Sequence, residues 1–217
     1  MAILSGPSWG PSSGTKPKQL VVLCHGVGAD GRDMIELAPI FGPALPDALF
    51  IAPDAPESYD MAPFGRQWFS IGNIDPDKLG QGVRSAAEAL DAFLDAELVR
   101  LGLSSYALIG FSQGAMTALF AGLRRPQAPA AILAYSGALI DPQSLSAEIK
   151  NHAPVLLAHG EADDIVPAFR SRDAAVLLRA AGVPAQLVFS PNLGHSIDEA
   201  GLQAGAALLG RVFHEAS

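Results

Sequence analysis

The chain has 217 residues, a formal net charge of −8, a mean hydropathy of +0.27 and one cysteine, Cys24. The excess of acid disfavours nucleic acid and anionic membrane surfaces as partners, and a single thiol excludes an internal disulfide. No apolar run is long enough to span a bilayer, and the N-terminus lacks a basic region followed by an apolar stretch, so a cytoplasmic protein without stable membrane insertion is expected.

Residues 1–18, rich in Gly, Pro and Ser, read as an irregular N-terminal leader to a single domain over 1–217. A strand is predicted near 19–25, where Gln19-Leu20-Val21-Val22-Leu23-Cys24 is the continuous apolar run of a strand buried on both faces. It enters His25-Gly26-Val27-Gly28-Ala29-Asp30-Gly31 and a helical pattern near 31–38. Gly26 to Gly31 spell G-x-G-x-x-G, and Asp54 ends the next strand, near 48–52. That combination is a dinucleotide-binding fingerprint and supports an alternative function as a dinucleotide-binding protein. Against it, Pro39 interrupts the crossover helix from Arg32 to Leu45, and Pro53 distorts the strand end before Asp54.

The segment from Pro53 to Gly80 is the least regular, with Pro53, Pro56, Pro63 and Pro76 among Tyr59, Met61, Phe64, Trp68, Phe69 and Ile71. A long loop in a compact domain is often a lid or a binding wall. Met61, Phe64, Trp68 and Phe69 are therefore candidate substrate-binding residues of an acyl pocket, with a satellite core under the loop as the equal alternative. Arg66 is a candidate partner for an anionic substrate group, with a surface salt bridge the favoured reading. A helix near 81–101 places Val83, Ala87, Leu90, Leu94 and Leu98 close to one face.

A strand near 105–110 then runs into Gly110-Phe111-Ser112-Gln113-Gly114 and a helix near 113–124. Strand, G-x-S-x-G turn and helix form a nucleophile elbow, in which the serine holds a strained backbone and the flanking glycines leave space. The plainer alternative is a serine that caps the helix. Further strands are predicted near 131–136, 154–159 and 185–190, and further helices near 168–181 and 197–214. Strands alternating with helices predict an α/β fold, a mostly parallel sheet with helices on both faces.

A nucleophilic serine needs a base, and the base an orienting carboxylate. Two loops at strand C-terminal ends supply them: Glu161-Ala162-Asp163-Asp164-Ile165-Val166-Pro167, and Ser190-Pro191-Asn192-Leu193-Gly194-His195-Ser196. Of five histidines, His25 precedes the serine, His159 sits at a strand end and is expected to hydrogen-bond backbone, His152 is in a connection and His214 in the last helical turn. His195 alone has the loop, the order and the flanking glycine. Asp163 is the chosen acid beside Asp164, with Asp141 a lesser alternative. The backbone N–H of Gln113, after the nucleophile, and that of Val27, between two glycines, are the expected oxyanion donors.

Together, the His25–Gly31, Gly110–Gly114, His159–Pro167 and Gly194–Ser196 motifs resemble the phospholipase/carboxylesterase family, which also holds the acyl-protein thioesterases, within the α/β-hydrolase superfamily. The resemblance runs from about Lys18 to the end of the chain. It implies an α/β-hydrolase fold with no large cap domain, Ser112 as nucleophile, His195 as base and Asp163 as acid at an H-G-x-x-D position. Ala115 departs from the family, which usually has a second glycine there. The expected activity is cleavage of a small-molecule acyl ester or thioester through an acyl-enzyme, with no metal or organic cofactor. A zinc site from His159, Glu161 and Asp163 is set aside, because two of the three have a better use. A non-catalytic, hydrolase-like binding protein is a further alternative, and a homodimer is expected only at the base rate of two-fold assemblies.

Overall fold

A computed structural model describes residues 4–72 and 75–215; residues 1–3 of the expected leader, 73–74 of the Pro53–Gly80 segment and 216–217 lie outside them. Among the described residues nine strands form: β1 (Ser8–Trp9), β2 (Gln19–Cys24), β3 (Ala48–Ile51), β4 (Glu57–Ser58), β5 (Arg66–Gln67), β6 (Tyr106–Phe111), β7 (Ile132–Tyr135), β8 (Val155–Gly160) and β9 (Ala185–Ser190). The helices are α1 (Gly31–Ile35), α2 (Ala38–Phe41), α3 (Pro76–Leu101), α4 (Gln113–Arg124), α5 (Leu145–Glu148), α6 (Phe169–Ala180) and α7 (Glu199–Glu215).

Seven strands make the main sheet, in the order β1-β3-β2-β6-β7-β8-β9. All pairs are parallel except β1 with β3. Side chains alternate across a strand, and β2 shows the consequence. Leu20, Val22 and Cys24 enter a core shared with α3, α4 and α6, while Val21 and Leu23 enter a second core with α1, α2 and α7. Both faces are covered, which is why these strands read as unbroken apolar runs. The pairings Cys24↔Gly110, Phe111↔Tyr135 and Gly160↔Ser190 set the C-terminal ends of β2, β6, β7, β8 and β9 along one edge. The loops carrying Val27, Ser112, Asp163 and His195 all leave from that edge.

Four departures from the sequence reading have local causes. The leader is not wholly irregular: β1 pairs with β3 through Ser8↔Ile51, and the Trp9 ring meets Phe50 edge-on at 5.7 Å. The helix expected near 31–38 is two short pieces, with Pro39 in the first turn of α2, where its missing N–H costs nothing. Helix α3 begins at Pro76 rather than Gln81, since Asp75 accepts from the Asp77 and Lys78 N–H groups and Pro76 fits the first turn. The Pro53–Gly80 segment therefore holds the antiparallel hairpin β4–β5 as well as the first turn of α3.

A turn of 3-10 helix (Pro142–Ser144) and α5 were not legible. They carry Glu148 to Arg84 at 2.9 Å and Arg124 at 2.7 Å, and Asp141 pairs with Arg84 at 2.6 Å. No helix among the described residues is long and apolar enough to cross a membrane, and no large cap covers the loop-bearing edge.

Candidate active site

Ser112 lies between β6 and α4 with φ 53° and ψ −118°, a backbone conformation that side-chain-bearing residues rarely adopt. Its carbonyl accepts the first helical bond of α4, from the Met116 N–H at 3.1 Å, yet its hydroxyl makes no capping bond. The plain capping reading therefore fails. The hydroxyl instead lies 3.0 Å from His195 Nε2. The tight turn depends on Gly110 and Gly114: a Cβ on Gly110 would lie 2.5 Å from Ala115 Cα, and one on Gly114 2.6 Å from His25 O.

His195 Nδ1 lies 2.7 Å from Asp163 Oδ2. An ionised carboxylate only accepts, so Nδ1 carries the proton and Nε2 is free to take one from Ser112. The Phe111 ring lies against His195 at a centroid distance of 4.8 Å. Asp163 is buried, and its Oδ1 accepts the N–H groups of Ile165 at 3.0 Å and Val166 at 2.8 Å. Burial is the largest single influence on its carboxyl and pushes its pKa up. The bonds from His195, Val166 and Ile165 outweigh it and hold the carboxyl below the ordinary aspartate range. Asp164 is exposed, and Asp141 is committed to Arg84. Of the three acids considered, only Asp163 meets His195.

The Val27 N–H makes no hydrogen bond among the described residues, while its neighbour Gly28 donates to Arg66 O at 2.8 Å. Gln113 is the first residue of α4, so its N–H has no acceptor within the helix. Buried His25 braces the Val27 loop. Its Nδ1 donates to Gly26 O at 2.7 Å, its Nε2 accepts the Ala55 N–H at 3.0 Å, and its carbonyl accepts from Trp68 Nε1 at 2.9 Å. Burial, the dominant influence, lowers the His25 pKa against the opposing pull of the Gly26 carbonyl.

The Pro53–Gly80 segment divides differently from the expectation. Trp68 and Phe69 are not pocket walls; both are fully buried in the core. The cause is Gln113, whose Oε1 accepts the Trp68 N–H at 2.8 Å and whose Nε2 donates to Phe69 O at 2.6 Å. Met61 and Phe64, near the tip of the β4–β5 hairpin, are 69% and 74% exposed. The hairpin leans on the Val27 loop, with the Tyr59 ring against Gly28. Arg66 makes no surface ion pair; it donates to the Ala55 and Pro56 carbonyls, both at 2.8 Å. The dinucleotide reading loses its groups as well: Asp54 accepts the Gly31 N–H at 2.9 Å and Asp30 that of Arg32 at 2.8 Å. Glu161, of the zinc set, faces Arg172 at 3.1 Å.

Sequence reasoning gave two polar side chains no part in the site. His159 is expected only to hydrogen-bond backbone, which it does at Val166 O at 2.7 Å, although a titratable residue closing an apolar strand four positions before Asp163 was a signal for more. The Gln113 side chain gave none, because only its backbone was at issue in the motif.

The sequence model of the phospholipase/carboxylesterase family matches residues 11–210. Esterase YpfH of Escherichia coli (strain K12) is 33% identical over 196 residues, which cover 86% of this chain and 79% of that protein. The crystal structure of esterase PE8 superposes with a TM-score of 0.92 at 41% identity, covering 97% of this chain and all of that one. A rice protein (Oryza sativa subsp. japonica), named "Probable inactive carboxylesterase Os04g0669700", is 27% identical over 202 residues, covering 87% of this chain and 82% of its own.

Proposed function

The chain belongs to the phospholipase/carboxylesterase family, and we propose that it cleaves carboxylic esters through an acyl-enzyme on Ser112. It is a serine hydrolase of the carboxylesterase type. One observation carries the assignment of residues: the contacts of 3.0 Å from Ser112 Oγ to His195 Nε2 and of 2.7 Å from His195 Nδ1 to Asp163. They also argue against a non-catalytic binding protein, which has no need of a strained serine facing a correctly oriented imidazole.

In this reading His195 Nε2 takes the hydroxyl proton as Ser112 Oγ bonds to the ester carbonyl carbon. The negative charge that forms on the carbonyl oxygen accepts the Val27 and Gln113 N–H groups, each donor being worth roughly 100- to 1,000-fold in rate. His195 returns the proton to the departing alcohol or thiol oxygen or sulfur as its bond to carbon breaks. Water then loses a proton to the same imidazole as it bonds to the acyl carbon, and His195 passes that proton to Ser112 Oγ as the Oγ–carbon bond breaks and the acid leaves. Asp163 stays ionised throughout and stabilises the imidazolium. Exposed Met61 and Phe64 suit an apolar acyl chain, so small esters or thioesters with open access to the edge are the proposed substrates, lysophospholipids among them. Residues 4–215 are proposed to be one domain, since both cores are built on the same sheet.

Labelling with a fluorophosphonate probe tests this. Native protein should react covalently and Ser112→Ala should not, with hydrolysis of p-nitrophenyl esters lost in parallel. A folded native chain that does not react would overturn the mechanism.

A further inference from the structure

His159 is the penultimate residue of β8, and its side chain is wholly shielded from solvent. An apolar residue would fill such a strand position without needing partners, yet this imidazole has three polar neighbours. Nε2 lies 2.7 Å from Val166 O and 3.1 Å from Asp163 Oδ2. Both neighbours are acceptors, so the proton sits on Nε2 and is donated to Val166 O, with its positive edge beside the carboxylate. Nδ1 lies 2.7 Å from Ser171 Oγ of α6, itself fully buried, and that hydroxyl reaches Gly137 O at 3.5 Å.

These contacts connect to the acid. Val166, whose carbonyl is held by His159, donates its own N–H to Asp163 Oδ1 at 2.8 Å. Oδ2, which faces His159 Nε2, is the oxygen that meets His195 Nδ1. One imidazole thus acts on both carboxylate oxygens, on Oδ1 through the Val166 backbone and on Oδ2 directly. The 161–167 loop has few other backbone ties: the Glu161 N–H donates to Ser190 O at 3.0 Å, the Ala162 N–H to Leu193 O at 2.9 Å and the Asp163 N–H to Gly160 O at 3.3 Å. These fix the loop up to the backbone of the acid, and none of them reaches its carboxylate.

We infer that His159 is a positioning residue for the reaction, fixing the rotation of the Asp163 carboxylate and through it the imidazole that must face Ser112. The inference rests on the proposed triad. A rotated carboxylate would still bind His195, but would point Nε2 away from the serine, and displacements of this kind cost catalysis more than binding.

The two imidazole nitrogens can be separated by substitution. Glutamine places its amide N–H near the Nε2 position, keeping the donor toward Val166 and Asp163; asparagine reaches only as far as Nδ1 and keeps the Ser171 side; methionine fills the space with no donor. The full chain is assayed on a p-nitrophenyl ester, with active sites counted by fluorophosphonate labelling so that misfolded protein drops out of kcat. H159N and H159M should each lose ~10- to 100-fold in kcat with KM changed less than about twofold. H159Q should stay within about threefold of native.

Near-UV circular dichroism selects the donorless variants that fold, and either one suffices. A folded donorless variant with native kcat per labelled site would overturn the inference, and so would an H159Q variant as impaired as the other two. Ser112→Ala and Asp163→Ala run alongside. If those retain activity, the triad reading itself fails; if they abolish it while H159N and H159M do not, only the role of His159 fails.

Discussion

Replacing Gly114 by alanine tests how closely the proposed nucleophile, Ser112, and the Val27 loop must approach. A Cβ at 114 would stand 2.6 Å from His25 O and closer still to the Cys24 carbonyl, both backbone atoms that no rotamer change can move. Ordinary contact begins at 3.4 Å, so the N-terminus of α4 and the end of β2 must part by at least 0.8 Å (3.4 less 2.6). That movement separates the Gln113 N–H from the Val27 N–H, the two donors proposed for one oxyanion. A displacement near 1 Å costs ~100-fold in rate, or ~2.7 kcal/mol of transition-state stabilisation. Overpacking of the core should add ~1–3 kcal/mol of lost stability, and Tm should fall by about 2–4 °C for each. Gly194, beside His195, is the internal control, because a Cβ there meets nothing within 4 Å and Gly194→Ala should stay within about twofold of native. The assay is kcat/KM on a soluble ester, normalised to fluorophosphonate-labelled sites, with a thermal melt of each protein. A Gly114→Ala enzyme within threefold of native and with an unchanged melt would refute the reasoning.

Three further outcomes are expected. Gln113→Met leaves the buried Trp68 N–H and Phe69 O without partners; at ~1–3 kcal/mol each, urea unfolding at neutral pH should show a loss of ~2–6 kcal/mol, and a loss below ~1 would contradict the clamp. Arg124 first, and then Arg84 against the opposing effect of burial, hold the Glu148 carboxyl at about 2, below its ordinary 4.5. A depressed acid stabilises the fold fully above pH 4.5 and less as pH falls toward 2. The stability advantage of native protein over Glu148→Gln should therefore shrink across that window, and a constant gap would count against the ion pairs. His25 has a lowered pKa, so below about 6.5 the unfolded chain gains a proton there that the folded chain declines. Its contribution is complete above that pH and lost as pH falls below it. Substituting His25 with Gln should make the fall in urea midpoint from pH 6.5 downward shallower, and an unaltered slope would count against a buried neutral imidazole.

The parts of this molecule visible in its sequence are those with a strong local pattern. Strands buried on both faces read as apolar runs, and the elbow shows itself because a strained turn requires small residues at 110 and 114. Parallel strands then fix where their loops emerge, so Ser112, Asp163 and His195 could be brought together without coordinates. What failed was set by tertiary partners. Trp68 and Phe69 look like binding residues in a Pro-rich segment, and only the Gln113 side chain, 45 and 44 positions away, reveals that they are pinned into the core. Strand β1 is two residues long and exists because the edge of β3 was open to it. Helix α5 has no periodicity to detect in four residues and is held by the ion pairs of Glu148.

The buried polar residues divide the site into two separately braced halves, and that division accounts for how a strained serine persists. A conformation like that of Ser112 costs ~1–3 kcal/mol and survives only where the surroundings overdetermine it. On one side, the Ser112 N–H is tied to Tyr135 O at 2.9 Å, and the next residue, Gln113, is bolted to the 68–69 backbone. That backbone in turn holds His25 O through the Trp68 indole, and so the Val27 loop. On the other side, buried Ser136 reaches Ser196 O at 3.3 Å beside His195, and His159 holds Val166, whose N–H meets Asp163. Nearly every brace ends on a backbone N–H or carbonyl. Backbone groups are the same in every residue, so such braces leave no pattern in the composition of the segments they hold. They appear in the sequence only as isolated polar residues within or at the ends of apolar runs, which is where His25, Ser136 and His159 stand, while Gln113, next to Ser112 in the turn, lacks even that sign.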